Sequence, residues 1–330
     1  MSENTSTSTN ESTSAGENTN AGESTSAGVD PGTGTPPAVP VGGFQEVDGR
    51  RLYVHRCGDD GPAVVFLPGA SAIGLDYYGV QREIAEFATA VVYDRAGTGF
   101  SDDAALPRTA AEVATELHGL LHALGLPGPY VLAPHSLGGA YAHRFAQLYP
   151  REVAGLVWLD AFHRDWDDFM PPGLSLAATT AMSPTEEQLR QSLPGIRQMA
   201  AELLVDYPPD VRDAVVEYHV SERWIHAGIA ERASMPALAV ELKEGADLPD
   251  VPAVALTALG VDPGQAALMS AEELRAMQDG ETRLYAAMVG RLSHGEQRVL
   301  PDVGHSQLCF ERADAVVRAV RDVVAWSAGA

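Results

Sequence analysis

The chain has 330 residues, of which 45% are hydrophobic, and a formal net charge of −23 at neutral pH. This length suits one large domain with an inserted subdomain, or two smaller domains. An acidic surface repels phosphate backbones and anionic lipid headgroups, so the composition argues against nucleic-acid binding and membrane-surface attachment. No apolar stretch approaches the roughly 20 residues that a bilayer-spanning helix requires.

The first 40 residues are a low-complexity segment in which a hexamer occurs three times in succession (ESTSAG, ENTNAG, ESTSAG). Because the repeat has no large apolar side chain, burial cannot offset the entropy lost on ordering, and residues 1–40 are predicted to be a disordered tail. The segment also lacks a basic stretch followed by an apolar one, which argues against a secretory signal and favours a cytoplasmic protein. The two cysteines, Cys57 and Cys309, are expected to be reduced core thiols.

Short strands alternate with helices from residue 44 onward. Residues 44–47 and 51–57 are predicted strands that flank Asp48-Gly49, a hairpin turn signal. Further apolar runs of strand length follow, with helical periodicity between them: strands at 63–67, 90–93, 130–133 and 153–159, and helices at 109–124 and 136–149. An antiparallel hairpin followed by β-α units predicts a mixed, mostly parallel α/β sheet with helices on both faces.

This alternation stops after residue 160, and residues 161–251 contain only helical patterns. Ser183 to Glu186 is interpreted as a capping box with Pro184 at the first helical position, and residues 209–227 are predicted to form one helix. Alternation then resumes with strands at 253–257 and 297–300, a helix capped by Ser270 and Glu273, and a final helix to about residue 326. The sequence therefore predicts a core domain of residues 41–160 and 252–330 with a helical lid inserted at 161–251.

The clearest chemical signal lies in residues 130–139 (YVLAPHSLGG), where a buried strand leads directly into a helix. Ser136 occupies the corner between them, and such a nucleophile elbow lifts the hydroxyl out of the sheet at the N-terminus of the helix. The backbone N–H of Leu137 is then aimed at the position where an oxyanion would form. Ser136 is the candidate nucleophile.

This segment resembles the Gly-His-Ser-x-Gly-Gly elbow of the α/β-hydrolase superfamily, and residues 93–102 (YDRAGTGFSD) resemble that family's Asp-Arg-x-Gly-x-Gly-x-Ser loop. The resemblance covers residue 44 to the C-terminus and implies the α/β-hydrolase fold with an inserted helical lid. Asp94 and Arg95 are expected to form a structural ion pair. Where the family often has His-Gly after its third strand, residues 67–70 read LPGA, and the resemblance implies the N–H of Ala70 as the second oxyanion donor.

His305 is the candidate general base. It stands in residues 300–306 (LPDVGHS), between the last predicted strand and the last helix, which matches the position of the family's catalytic histidine. The chain order of nucleophile, acid and histidine is also the order expected of this fold. His135 adjoins the elbow and is expected to point sideways into packing.

Two aspartates compete for the role of triad acid. Asp160 ends the strand beside the elbow strand, a placement that resembles certain haloalkane dehalogenases of the superfamily. Asp262, followed by Pro263, comes after the next strand, where most members of the family carry their acid. The sequence favours Asp160 narrowly. Either carboxylate would hold the tautomer of His305 and stabilise the imidazolium without taking its proton.

These residues predict a serine hydrolase that cleaves an ester, lactone or thioester through an acyl-enzyme intermediate. The aromatic and methionine content of the lid favours an apolar, ester-like small molecule as substrate. No metal or cofactor motif is legible, so neither is expected, and no feature specifies an oligomeric state. Two alternatives stay open: an acyltransferase or cofactor-free oxidative enzyme with the same triad, and a hydrolase-fold binding protein with little turnover.

Overall fold

A computed structural model describes residues 39–329 of the chain, and their centre is an eight-stranded sheet with the order β1-β2-β4-β3-β5-β6-β7-β8. The strands are β1 (Gly43–Val47), β2 (Arg50–Cys57), β3 (Ala63–Leu67), β4 (Thr89–Tyr93), β5 (Tyr130–Pro134), β6 (Val153–Leu159), β7 (Ala253–Ala258) and β8 (Gly295–Leu300). β2 pairs antiparallel with β1 and β4, and all other pairs are parallel. The predicted α/β class and mostly parallel sheet are confirmed. The predicted disordered tail lies outside the described residues, apart from its last two.

Helices cover both faces of the sheet, as predicted. They are α1 (Tyr78–Ile84), α2 (Ala110–Ala123), α3 (Gly138–Leu148), α4 (Trp166–Phe169), α5 (Leu176–Ala181), α6 (Glu186–Leu203), α7 (Pro209–His219), α8 (Glu222–Lys243), α9 (Pro263–Ala266), α10 (Ala271–Val289), α11 (Leu308–Glu311) and α12 (Ala313–Ser327). Because successive strand residues point to opposite faces, Val65 and Leu67 of β3 pack toward α2, α3 and α10. Val64 and Phe66 pack toward α1 and α12 on the other face.

The chain between β6 and β7 is helical, and residues 161–251 are called the helical insertion below. Leu189, Leu204, Val211 and Ile225 form an apolar cluster in it that also contacts Ile73 of the core. Within residues 39–329, none of the helices combines the length and apolar character that a membrane crossing requires. Cys57 and Cys309 both carry free thiols.

Two helix predictions within the insertion were wrong in detail. α6 begins two residues later than the capping box at Ser183 implied, because Thr185 and Gln188 form a reciprocal box of their own. The predicted helix over 209–227 is two helices, α7 and α8. Ser221 separates them, since its hydroxyl accepts from the N–H of Trp224 and caps α8.

Candidate active site

Ser136 lies at a sharp turn between β5 and α3. Its φ of +50° is in the left-handed region, which non-glycine residues adopt only where the surrounding structure holds them there. The N–H of Ser136 donates to the carbonyl oxygen of Leu159 at 3.4 Å, and its own carbonyl oxygen accepts from the N–H of Phe162 at 2.7 Å. A Cβ on Gly138 would lie 2.0 Å from the carbonyl oxygen of Leu67, so the turn has room only for glycine at that position. The strand, the turn and the helix start therefore fix the direction of the Ser136 hydroxyl.

His305 contacts both Ser136 and an aspartate. It opens a 3₁₀ turn (His305–Gln307) after β8, and its Nε2 lies 2.9 Å from Ser136 Oγ. Its Nδ1 lies 2.7 Å from Asp160 Oδ2. The side chain of His305 is 23% exposed and that of Asp160 is 1% exposed, so the hydrogen-bonded chain runs from a buried carboxylate to an accessible hydroxyl.

Asp160 is held in place by the end of the sheet. Its φ of +50° turns the chain at the end of β6, and its Oδ1 accepts from the N–H of Ala258 at 3.1 Å. Burial on its own lowers the pKa of His305, but the hydrogen bond that its Nδ1–H donates to Asp160 and the negative charge of Asp160 outweigh this, so the pKa of His305 is raised. Asp160 thereby favours the imidazolium that a general base becomes.

Asp262, the rival acid, does not contact the imidazole. Its Oδ1 caps α9 by accepting from the N–H of Gln265 at 3.0 Å, and its Oδ2 accepts from the N–H of Ser306 at 2.7 Å. Burial raises the pKa of Asp262, but the charge of His305 and these two N–H bonds lower it overall. Asp262 therefore anchors the segment that carries His305, and the imidazole is hydrogen-bonded to Asp160 instead.

His135 points sideways from the elbow, as expected. Its Nδ1 lies 2.9 Å from the hydroxyl of Tyr77, and its Nε2 lies 3.2 Å from the carbonyl oxygen of His305. Burial and the neighbouring His305 lower the pKa of His135 to about 4, so its ring is neutral at pH 7. The sequence did not reveal that His135 and Tyr77 support the backbone of His305.

The two proposed oxyanion donors flank Ser136. Leu137 precedes α3, and a Cβ on Gly69 would lie 3.0 Å from the Cβ of Ser136, which shows how closely the loop of Ala70 passes the serine. Between residues 39 and 329, no protein acceptor is bonded to the N–H of Ala70 or of Leu137. Both groups can donate to a ligand.

Arg95 holds this loop in place and corrects a sequence-based expectation. The predicted ion pair between Asp94 and Arg95 is wrong, because neighbouring residues at a strand end point to opposite sides. Arg95 instead pairs with Glu231 of α8 at 2.5 and 2.7 Å, and donates to the carbonyl oxygens of Pro68 and Gly69. The pair is almost fully buried and ties the helical insertion to the loop of Ala70.

Two cavities meet at Ser136. Both are lined by Ser136, His305 and Arg232. The larger, about 460 Å³, has mostly apolar walls that include Leu189, Ile196, Leu203, Leu204, Trp224 and Leu268. The smaller, about 180 Å³, is lined by Trp166, Leu176, Met235, Met277, Glu281 and Tyr285 among others. Ser136 therefore lies where the two cavities adjoin.

Groups that could ligate a metal occur elsewhere. His118, His122 and Glu152 converge near the start of β6, with imidazole-to-carboxylate distances of 3.1 and 3.2 Å. Glu152 lies at the N-terminal end of the parallel strands, whereas Ser136 lies at their C-terminal end. A second cluster, on α6 and α8, comprises Glu186, Glu222 and His226. Arg190 bonds both of its carboxylates, so a cation already occupies that cluster.

The sheet order, the elbow and the placement of His305 after the last strand define an α/β-hydrolase. A model described as "Alpha/beta hydrolase family" matches residues 64–319, and the chain belongs to that family.

The chain is also similar to individual proteins, in part of its sequence or in its fold. The chain is 30% identical to the uncharacterized protein YbdG of Bacillus subtilis (strain 168) over 117 residues, which cover 35% of this chain and 36% of that protein. Across the first such relatives the match spans about half of their length or less. A thermophilic esterase from Thermogutta terrifontis has a TM-score of 0.52 and 20% identity, covering 86% of this chain and 98% of that one. The epoxide hydrolase CorEH has a TM-score of 0.58 and 16% identity, covering 86% and 98%. At these identities the two solved structures establish the fold alone.

Proposed function

We propose that this protein is a serine hydrolase that cleaves an ester, lactone or thioester through an acyl-enzyme intermediate. The observation that supports this most directly is the hydrogen-bonded chain from Ser136 Oγ through the His305 imidazole to the buried carboxylate of Asp160, at 2.9 and 2.7 Å. A base within hydrogen-bond reach of a hydroxyl, itself oriented by a third group, is the arrangement that nucleophilic catalysis requires.

In the first half of the proposed reaction, His305 Nε2 accepts the Ser136 proton while Oγ bonds to the carbonyl carbon. The carbonyl oxygen becomes an oxyanion that accepts hydrogen bonds from the N–H groups of Ala70 and Leu137. The tetrahedral intermediate then collapses, and His305 returns the proton to the departing alcohol or thiol. Asp160 stabilises the imidazolium and keeps its own proton state throughout.

In the second half, water replaces the alcohol. His305 accepts a proton from the water as its oxygen bonds to the acyl carbon, and the same N–H groups hold the second oxyanion. Collapse releases the carboxylic acid, and the proton held by His305 returns to Ser136. The enzyme ends in its starting protonation state, and one water has been consumed.

The identity of the nucleophile supports acyl chemistry over epoxide or haloalkane opening. Attack by the Ser136 hydroxyl on an epoxide or alkyl halide carbon would leave an ether, which an imidazole-activated water does not cleave. An aspartate in that position would leave an ester, which water can hydrolyse. The acyl route is the one in which Ser136 is regenerated.

The helical insertion supports an apolar substrate. Its α6 supplies five apolar residues to the wall of the larger cavity, and Trp224 of α8 contributes to the same wall. We propose that the insertion acts as a lid that excludes water from the acyl group and binds its apolar part.

The test is covalent labelling followed by turnover. A fluorophosphonate probe should label the wild type at Ser136, and p-nitrophenyl esters should be hydrolysed, with both signals lost in Ser136→Ala. Ser192→Ala is the matched control, because it makes the same change at an exposed residue of α6 and should keep both signals. If the wild type neither labels nor hydrolyses any ester, the proposal is wrong and the binding-protein alternative replaces it.

A further inference from the structure

Arg232 of α8 places a positive charge beside the proposed nucleophile. Its side chain lines both cavities together with Ser136 and His305. The hydroxyl of Ser71, at 3.4 Å, is the one side-chain acceptor bonded to this guanidinium in the described part of the chain. A guanidinium has five N–H donors, so most of those on Arg232 are available to a ligand.

The carboxylates around the cavities are bound to other groups. Glu231, next in sequence, is bonded to Arg95 and to the N–H of Ser71. The remaining acids have partners as follows: Asp160 with His305 and Ala258, Asp262 with Gln265 and Ser306, and Asp76 with His219 and Ile73. Burial and the charge of Asp160 raise the pKa of Glu281 well above its ordinary value, which favours its neutral form. Arg232 thus has no ion-pair partner among the described residues.

Arg232 is half-buried, so its guanidinium has lost part of its hydration without gaining an ion-pair partner, which is unfavourable for a charged group. Burial lowers the pKa of Arg232, as expected for a cation removed from water, yet arginine stays protonated near neutral pH. A ligand anion would recover the lost solvation through charge-assisted hydrogen bonds.

We propose that Arg232 binds a carboxylate of the substrate, so that the enzyme's substrates are esters, lactones or thioesters that also carry a free carboxylate. This rests on the proposed hydrolase function. The apolar part of such a substrate occupies the larger cavity, and the carboxylate lies against the guanidinium where the two cavities meet. The planar guanidinium can hold both carboxylate oxygens at once, which lysine cannot do.

The test compares two substrates that differ in one charge. Mono-4-nitrophenyl glutarate carries a free carboxylate, and its methyl ester is the neutral analogue of nearly the same shape. The wild type should favour the acid, and the ratio of the two kcat/KM values should fall about 10- to 100-fold in Arg232→Gln. Arg232→Lys should recover part of the ratio. The corresponding half-esters of succinate and adipate place the carboxylate one methylene nearer to and one methylene further from the scissile bond. Comparing their kcat/KM values shows which separation the site prefers.

The ratio separates recognition from other roles of Arg232. A change in the pKa of His305 or in packing alters both substrates alike and cancels in the ratio. Arg275→Gln is the matched control, since it removes an arginine charge from an exposed position on α10 and should leave the ratio unchanged. A wild-type ratio near one, or a ratio that Arg232→Gln does not alter, would overturn the proposal.

A binding measurement keeps this outcome distinct from that of the hydrolase proposal. In Ser136→Ala, calorimetry should show the half-ester binding more tightly than its methyl ester, and Arg232→Gln added to Ser136→Ala should abolish that difference. Absence of both fluorophosphonate labelling and ester hydrolysis would overturn the hydrolase proposal, whereas equal binding of the two esters would overturn the carboxylate site alone.

Discussion

Replacing Asp160 with asparagine should abolish most of the activity while keeping the shape of the site. In the wild type, Asp160 Oδ1 accepts from the N–H of Ala258 at 3.1 Å and Oδ2 lies 2.7 Å from His305 Nδ1. The asparagine oxygen must face the N–H of Ala258, because the opposite rotamer would bring two donors together. Its NH₂ group then donates to His305 Nδ1 and places the imidazole proton on Nε2. In that tautomer His305 cannot accept the proton of Ser136.

The expected loss in kcat is about 10³- to 10⁴-fold, where the upper figure is the loss seen when the equivalent change imposes the wrong tautomer in a serine protease. This corresponds to about 4–5.4 kcal/mol of transition-state stabilisation. Steady-state hydrolysis of a p-nitrophenyl ester measures it, with KM expected to change little. The melting temperature should stay near that of the wild type, because the hydrogen bonds at Ala258 and Nδ1 are both kept.

Asp262→Asn is the comparison that decides the assignment. Both oxygens of Asp262 accept backbone N–H groups, from Gln265 and Ser306, so the amide leaves one N–H without an acceptor. The cost should appear as about 1–3 kcal/mol of stability, with a smaller loss of kcat than in Asp160→Asn. Equal losses in the two variants, or a larger loss in Asp262→Asn, would refute Asp160 as the acid.

Three further predictions concern pH and stability. kcat/KM should fall as pH drops through a midpoint above 6.5, since His305 must be neutral to act as a base and its pKa is raised; a pH-rate profile measures this. Glu231→Gln should lower the free energy of unfolding by about 3–5 kcal/mol in urea denaturation, because it leaves the buried charge of Arg95 without its partner. Gly138→Ala should lower the melting temperature and abolish fluorophosphonate labelling, because the added Cβ would lie 2.0 Å from the backbone carbonyl oxygen of Leu67. Gly195→Ala is the control: the added Cβ meets open space on α6 and should stabilise the protein by about 0.5–1 kcal/mol.

Each of these has an outcome that contradicts it. A midpoint at or below 6.5 would mean that burial, and not Asp160, dominates the pKa of His305. Unchanged stability in Glu231→Gln would mean that the ion pair with Arg95 is not formed in solution. Wild-type labelling in Gly138→Ala would mean that the elbow can open to admit a side chain.

The sequence predicted the sheet and the positions of Ser136 and His305 because their signals are local. A strand, a sharp turn and a helix start occur within ten residues around Ser136, and His305 follows directly after β8. The sequence favours Asp160 over Asp262 only narrowly, because both residues follow parallel strands at the same edge of the sheet. In the structure the two aspartates differ in their hydrogen bonds. Both carboxylate oxygens of Asp262 accept from backbone N–H groups, whereas only one oxygen of Asp160 does so and the other contacts His305.

The partner of Arg95 could not be read from the sequence for a related reason. Asp94 is adjacent in the chain but points away, and Glu231 lies 136 residues further on in the helical insertion. Local patterns do not report contacts made across so long a separation. The same limit applies to Arg232. Its lack of an ion-pair partner depends on the long-range contacts of the nearby acids, which local sequence patterns do not show.

The ion pair with Arg95 also sets the direction of Arg232. Adjacent residues on an α-helix diverge by about 100° around its axis, so fixing Glu231 against Arg95 fixes the rotation of α8 at this turn. Glu231 then faces the loop of Ala70, and Arg232 faces the cavities beside Ser136. One turn of α8 therefore both holds the loop of a proposed oxyanion donor and directs the proposed carboxylate site. Loosening it through Glu231→Gln should reduce the preference for the half-ester as well as stability.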